Sequence, residues 1–229
     1  MGEIINIYLY DFIALTWFIF LWFGYSSFAD YKSMRSEHNI YQIMHLYRLQ
    51  WMQNSILNED KVSDINAIAS FVRTGAFFAS TSILIIAFLL PLFTLSEQAM
   101  AIIANIPFAY TEHHFWELKT SVLLIIFIYA FFKYTWSIRQ YNYAIAIILS
   151  TSKIDKTEIA KNKNSIERNA KILSNAARHF SMGIRAYYLG LVTLSWYLHP
   201  VLFMILTTVV ILIIYRREFR SRALSIMIP

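Results

Sequence analysis

Val122-Leu-Leu-Ile-Ile-Phe-Ile-Tyr-Ala130 runs straight into Phe131-Phe-Lys-Tyr-Thr-Trp-Ser-Ile-Arg-Gln-Tyr-Asn-Tyr143. The first half is hydrocarbon but for the Tyr129 hydroxyl. The second sets Lys133, Arg139, Gln140 and Asn142 among aromatic rings. A helix needs about 20 mostly apolar residues to cross the ~30 Å hydrocarbon core of a bilayer. With its flanks the apolar run supplies them, and the polar stretch marks where the helix leaves the membrane. This reading decides the fold class: an all-α, polytopic membrane helix bundle.

Composition agrees. Of 229 residues, 58% are hydrophobic and 15% charged, against about 25% charged in an ordinary soluble domain. The apolar residues fall in blocks, so a single integral membrane domain over 1–229 is expected. There is no cysteine, which excludes disulfides, thiolate metal sites, iron–sulfur clusters and Cys nucleophiles. The net charge is +6. The cations sit beside apolar segments, so membrane orientation and anionic lipid explain them better than nucleic acid, which is not expected as a partner.

Working outward, about five spans are expected, near 4–25, 75–95, 120–141, 183–198 and 200–216. The first charge is Glu3 and no basic residue leads the first segment, so it reads as a retained span and not a cleaved signal peptide. Trp17, Trp22 and Tyr25 suit its interfacial end. Ile40 to Leu57 has the mixed stripe of an amphipathic helix. Val62, Ile65, Ala69, Val72 and Ala76 recur at 3-4-3-4 spacing, which predicts a packing seam leading without a break into the second span. Gly75/Ala79 and Ala76/Ser80 are small pairs four apart, suited to close helix contact. Pro91 is expected to kink the end of that span. Ile159, Ile166, Ala170, Leu173, Ala177 and Phe180 mark a second amphipathic stalk. The helical segments 40–74 and 155–182 are thus placed in the cytoplasm.

Leu198-His199-Pro200 interrupts the last apolar region. As one helix, residues 186–215 would be about 45 Å long, well beyond the hydrocarbon core. Charge favours two spans. Lys32, Arg35, Arg48, Lys61 and Arg73 lie in the first loop, and Lys153, Lys156, Lys161, Lys163, Arg168, Lys171, Arg178 and Arg185 in the third. With both inside, five crossings also put the tail Arg216-Arg-Glu-Phe-Arg220 inside, N-terminus out and C-terminus in. A four-span arrangement with one tilted helix is the alternative. No internal repeat supports a duplicated transporter architecture.

Several words in the chain carry a family resemblance. Phe77-Phe-Ala-Ser-Thr-Ser82, Tyr129-Ala-Phe-Phe-Lys133, Trp136-Ser-Ile-Arg-Gln-Tyr-Asn-Tyr143, Ala176-Ala-Arg-His-Phe180, Arg185-Ala-Tyr-Tyr188 and Tyr215-Arg-Arg-Glu-Phe219 resemble the uncharacterised membrane-protein family called domain of unknown function 599. The resemblance covers most of the chain. It implies a multi-pass protein of the bacterial inner (plasma) membrane whose activity is not established, and it brings no catalytic residues.

The candidate binding residues are Lys133, Trp136, Arg139, Gln140, Tyr141 and Asn142, with Arg178, His179, Arg185 and Tyr188 from the next stalk. Facing each other, these helices would gather cations and amides suited to an anionic small molecule or a lipid headgroup. Otherwise Lys133 and Arg139 simply snorkel and the rings form an interfacial belt. Asp11 is the acid inside a span, either a proton or cation relay or a structural hydrogen-bond acceptor. His113 and His114, between Glu112 and Glu117, are the candidates for a metal. Adjacent histidines diverge on a helix and no second ligand cluster follows, so no metal site is expected. Gly183, Ala186, Gly190 and Thr193 form a small-residue seam for packing within or between protomers.

No phosphate loop, nucleophile elbow or paired-His zinc motif is present, so no catalytic residue is assigned and no cofactor is expected. The favoured reading is a channel- or transporter-like homo-oligomer with a cationic cytoplasmic pocket. The alternatives are a membrane enzyme or a protein binding haem, quinone or lipid, and a scaffold for a cytoplasmic partner.

Overall fold

The computed structural model describes residues 2–35, 39–103, 113–151, 153 and 156–227. It is all-α, with no strand among the described residues. The helices are α1 (Gly2–Arg35), α2 (Ile40–Leu57), α3 (Val62–Leu89), α4 (Ser96–Ile103), α5 (His113–Ser150), α6 (Ile159–Thr193), α7 (Pro200–Phe219) and α8 (Arg222–Met227). Four stretches are long and apolar enough to cross a membrane: Leu9–Ala29, Val62–Phe93, Phe115–Ser150 and Pro200–Met227. The protein is membrane-embedded.

Local chemistry sets several ends. Asn39 caps α2, its side-chain oxygen accepting from Gln42 N–H at 2.9 Å, a contact worth about 1 kcal/mol. Asp60 Oδ1 accepts from Val62 N–H at 2.8 Å at the start of α3. His199 caps α7 through Nδ1, with Pro200 in the first turn, where its missing N–H costs nothing. Pro91 does not kink α3: the α-helix stops at Leu89 and Leu90–Phe93 tightens into a 3₁₀ turn. Polar Ser26–Arg35 continues α1 as helix, and α4 forms where the sequence suggested only a connection. Hydroxyls within helices bond back to their own helix, as Thr81 does to Phe77 and Thr193 to Leu189, which satisfies them away from water.

The described chain groups into two compact units. The first comprises 1–35, 82–129 and 185–221. Here the chain breaks over Leu194–His199, and α7 folds back along α6: Trp196 stacks on Phe203 at 5.0 Å while Arg185 meets Glu218 at 2.7 Å. No single helix spans 186–215. Thr120 meets Tyr197 and Phe127 meets Tyr187, so α5 also runs opposite to α6. Phe18 against Phe203 and Phe28 against Phe219 set α1 parallel to α7.

The second unit comprises 36–81, 130–184 and 222–229. Phe71 stacks on Tyr141 and Phe78 on Tyr134, so α3 runs opposite to α5. Its core joins Met52 and Ile56 of α2, Ile68 of α3, Tyr141, Ala144 and Ile148 of α5, and Ile166, Ala170 and Leu173 of α6. The seam of α3 differs from the sequence reading. Val62 and Ala76 are exposed, whereas Ile68, Gly75 and Ala79 are buried. Beyond Thr74 the helix is apolar nearly all round, so periodicity no longer chooses its inner face; the small residues choose it, and Gly75 lies against Ile138.

The seam on α6 packs within the protomer. A methyl on Gly190 would lie 3.0 Å from Phe127 Cζ, and one on Gly183 2.6 Å from Tyr134 Cε1. Tyr134 is fully buried between Phe78 and Phe180 and cannot easily yield. Gly183→Ala is expected to destabilise by about 1–3 kcal/mol through overpacking, read as a lower unfolding midpoint in detergent. An unchanged midpoint would mean that the ring shifts freely.

Candidate functional site

In the second unit α5 and α6 face each other along the stretches singled out in the sequence. Ser137 Oγ donates to Ala176 O at 2.8 Å, and the His179 ring meets Trp136 edge-on at 6.3 Å. Beyond this contact they leave an open groove of about 800 Å³. Trp136, Gln140 and Tyr143 supply the α5 wall, at 4-3 spacing on one face. Asn164, Glu167, Arg168, Lys171, Ile172 and Asn175 supply the α6 wall, also at helical spacing.

Trp136 is 46% exposed and Tyr143 51%, so both rings are about half open. Arg139 lies 5.7 Å from the Trp136 ring centroid, a cation–π contact. Gln140 is only 6% exposed, and its Oε1 has no hydrogen-bond partner among the described residues. Lys171 Nζ lies 2.7 Å from Glu167 Oε1. That hydrogen bond and charge, helped by Lys163 and His45, hold Glu167 below the usual carboxylate range.

The other sequence candidates lie elsewhere. Tyr141 turns into the core against Phe71, while Asn142 is exposed. Lys133 and Arg178 are half-buried. Arg185 and Tyr188 belong to the first unit, where Arg185 is bound by Glu218 and Tyr188 receives Arg217 at 3.4 Å. The side chains of His113 and His114 and the whole of Glu112 lie outside the described residues. No group of three His, Asp or Glu among the described residues could hold a metal.

The sequence reading missed three features. Arg168 and Lys171 counted only as orientation charges, although Asn164, Arg168, Lys171 and Asn175 recur at 4-3-4 spacing, matching the 4-3 spacing on α5. Asp11 pairs with Lys119 at 3.2 Å and accepts from Trp196 Nε1 at 2.6 Å. Lys119 also lies 5.5 Å from the Trp196 ring centroid, and all three residues are buried. Glu218 accepts from Arg185 Nε at 2.7 Å, from Arg185 Nη2 at 2.9 Å and from Tyr25 OH at 2.6 Å.

Helix α2 brings a titratable group to the same α6 surface. His45 Nδ1 lies 2.9 Å from Ser174 Oγ, and Arg48 Nη1 lies 3.5 Å from the same oxygen. Burial, then the charges of Arg48 and Lys171, hold His45 below the ordinary imidazole value, with Glu167 opposing. The folded state therefore prefers neutral His45. Its contribution to docking α2 is complete above the ordinary imidazole pKa of about 6.5 and is lost as pH falls below it. Hydrogen-exchange protection of α2 is expected to fall between about pH 7 and pH 5 and to become flat with pH in His45→Gln. Equal slopes in both proteins would remove His45 as the cause.

No curated protein and no solved structure matches the chain. The family described as a protein of unknown function, DUF599, matches residues 13–223, and the chain belongs to that family.

Proposed function

We propose that this protein is transporter- or channel-like, works as a homo-oligomer in the inner (plasma) membrane, and takes an anionic solute or lipid headgroup in the α5–α6 groove. The observation that carries the reading is the groove itself, where Arg168 and Lys171 stand among amides opposite Trp136 and Tyr143. Cations and amides recognise phosphate and carboxylate, and aromatic faces recognise an apolar portion.

Five crossings, N-terminus out and C-terminus in, fit this reading. Within the first unit α1, α5 and α7 run in one direction and α6 in the other, and within the second α3 runs opposite to α5; both fit successive crossings. The α6 crossing comprises its C-terminal part with Leu194–Tyr197. The groove then lies at the cytoplasmic face, where the positive-inside rule gathers cations. The buried Asp11–Lys119 pair also fits, since ionisable residues inside a membrane tend to mark transport pathways.

Reconstituted vesicles test the reading. Oligomers by light scattering and efflux of a trapped organic anion are expected. Arg168→Gln is expected to reduce efflux about tenfold, the loss of one charge-assisted hydrogen bond. Lys153→Gln, which removes an exposed contact to Glu59 at 3.4 Å, is expected to leave efflux unchanged. A strict monomer without efflux refutes the proposal; equal loss in both variants reduces the cations to a role in orientation.

A further inference from the structure

We infer that the groove takes a monoanionic phosphodiester bearing a hydroxylated substituent. This rests on the groove being a ligand site and adds what kind of anion it selects. The chemistry is that of a phosphatidylglycerol-type headgroup or of a soluble glycerophosphodiester.

Charge sets the first constraint. The lining holds two cations, Arg168 and Lys171, and one carboxylate, Glu167. One net positive charge matches one negative charge. A phosphate monoester carries close to two at neutral pH, and a zwitterionic headgroup carries none. The contact between Lys171 and Glu167 uses one ammonium proton, which leaves two to donate. Arg168 adds a planar fork suited to two phosphate oxygens.

The amides set the second. Gln140, Asn164 and Asn175 line the groove, and Gln140 Oε1 is buried with no hydrogen-bond partner among the described residues. A buried acceptor needs a donor. A phosphodiester offers acceptors alone and cannot satisfy it, whereas a hydroxyl on the substituent can. The orphaned carbonyl thus selects a polyol ester over a simple alkyl ester.

Shape sets the third. Trp136, Tyr143 and Ile172 give the groove apolar surface beside its cations and amides, and Trp136 and Tyr143 are both about half exposed. About 800 Å³ holds a headgroup with its glycerol backbone. The first methylenes of an acyl chain can lie along the rings, in the manner of an interfacial aromatic belt.

The test uses the full chain in neutral detergent, with binding read by native mass spectrometry. The probes are short-chain phosphatidylglycerol, phosphatidylmethanol, phosphatidic acid, phosphatidylcholine, soluble glycerophosphoglycerol and inorganic phosphate. Phosphatidylglycerol is expected to bind about tenfold tighter than phosphatidylmethanol, phosphatidic acid or phosphatidylcholine, the effect of one well-placed polar contact. Arg168→Gln and Lys171→Gln should each weaken it about tenfold, with Lys153→Gln unchanged. Gln140→Leu should abolish the preference for phosphatidylglycerol over phosphatidylmethanol while leaving phosphatidylmethanol binding intact.

Glycerophosphoglycerol binding as tightly as the lipid supports the proposal and identifies a soluble solute. Binding that needs acyl chains supports it and identifies a lipid. Phosphatidic acid or inorganic phosphate binding as well as the diester, or Arg168→Gln without effect, overturns it. Selective binding without efflux removes transport and leaves this inference standing. Efflux without selective binding does the reverse.

Discussion

Asp11→Ala is expected to be among the most damaging single substitutions in the chain. It takes the carboxylate from an ammonium that is 5% exposed and held 3.2 Å away, and removes the acceptor of the fully buried Trp196 indole. Stranding one partner of a buried ion pair costs about 3–5 kcal/mol. Lys119→Ala should cost a similar amount. The double variant Asp11→Leu with Lys119→Met should recover most of the loss, because well-packed hydrophobic residues can replace a buried pair with little penalty. Unfolding midpoints in mixed micelles of the two single variants and the double variant give the coupling directly. Additive losses would show that the two residues act separately.

Glu218→Ala is the second. One carboxylate holds Arg185 in a two-pronged contact and takes the Tyr25 hydroxyl at 2.6 Å. The guanidinium also lies 5.5 Å from the Tyr25 ring centroid. The charged side chains are 9% and 13% exposed, so solvent does little to replace the lost partner. A loss of about 3–5 kcal/mol is expected. Glu218→Gln, which keeps shape and one acceptor, should lose less, and Tyr25→Phe only about 1 kcal/mol, the net value of a hydrogen bond. The same micelle titration orders them. A Gln variant as unstable as the Ala variant would assign the whole effect to charge and none to shape.

The helices were largely legible because their signals are local. Ile40 to Leu57 matches α2 to the residue, since a mixed stripe announces it. His199-Pro200 marked the reversal through the length of the last apolar region and the loop charges; that His199 caps α7 came from the structure. The inner face of α3 was legible in part: Gly75 and Ala79, read as a small pair for close contact, are buried, whereas Val62 and Ala76 of the 3-4 stripe are exposed. The Asp11–Lys119 pair was not legible: 108 positions separate its members in the sequence, and nothing local reports that distance. At the groove, Trp136 and Gln140 could be singled out as polar exceptions beside a hydrocarbon run. Arg168 and Lys171 could not, because a cation beside a membrane segment already has a sufficient reason in topology. Pairing the 4-3 spacing on α5 with the 4-3-4 spacing on α6 was the signal available to join them.

The reversal at Leu198–Pro200 also bears on biogenesis. The part of α6 beyond Arg185 is short and leads with a guanidinium, a poor segment to enter lipid alone. Helix α7 follows within a few residues, and its Glu218 reaches back to that guanidinium. Under the proposed five-crossing arrangement, a hairpin of α6 and α7 would present the translocon with a neutralised pair instead of a bare cation. Under that arrangement insertion of α6 is expected to wait for α7, and a chain truncated before Pro200 to leave α6 outside the bilayer.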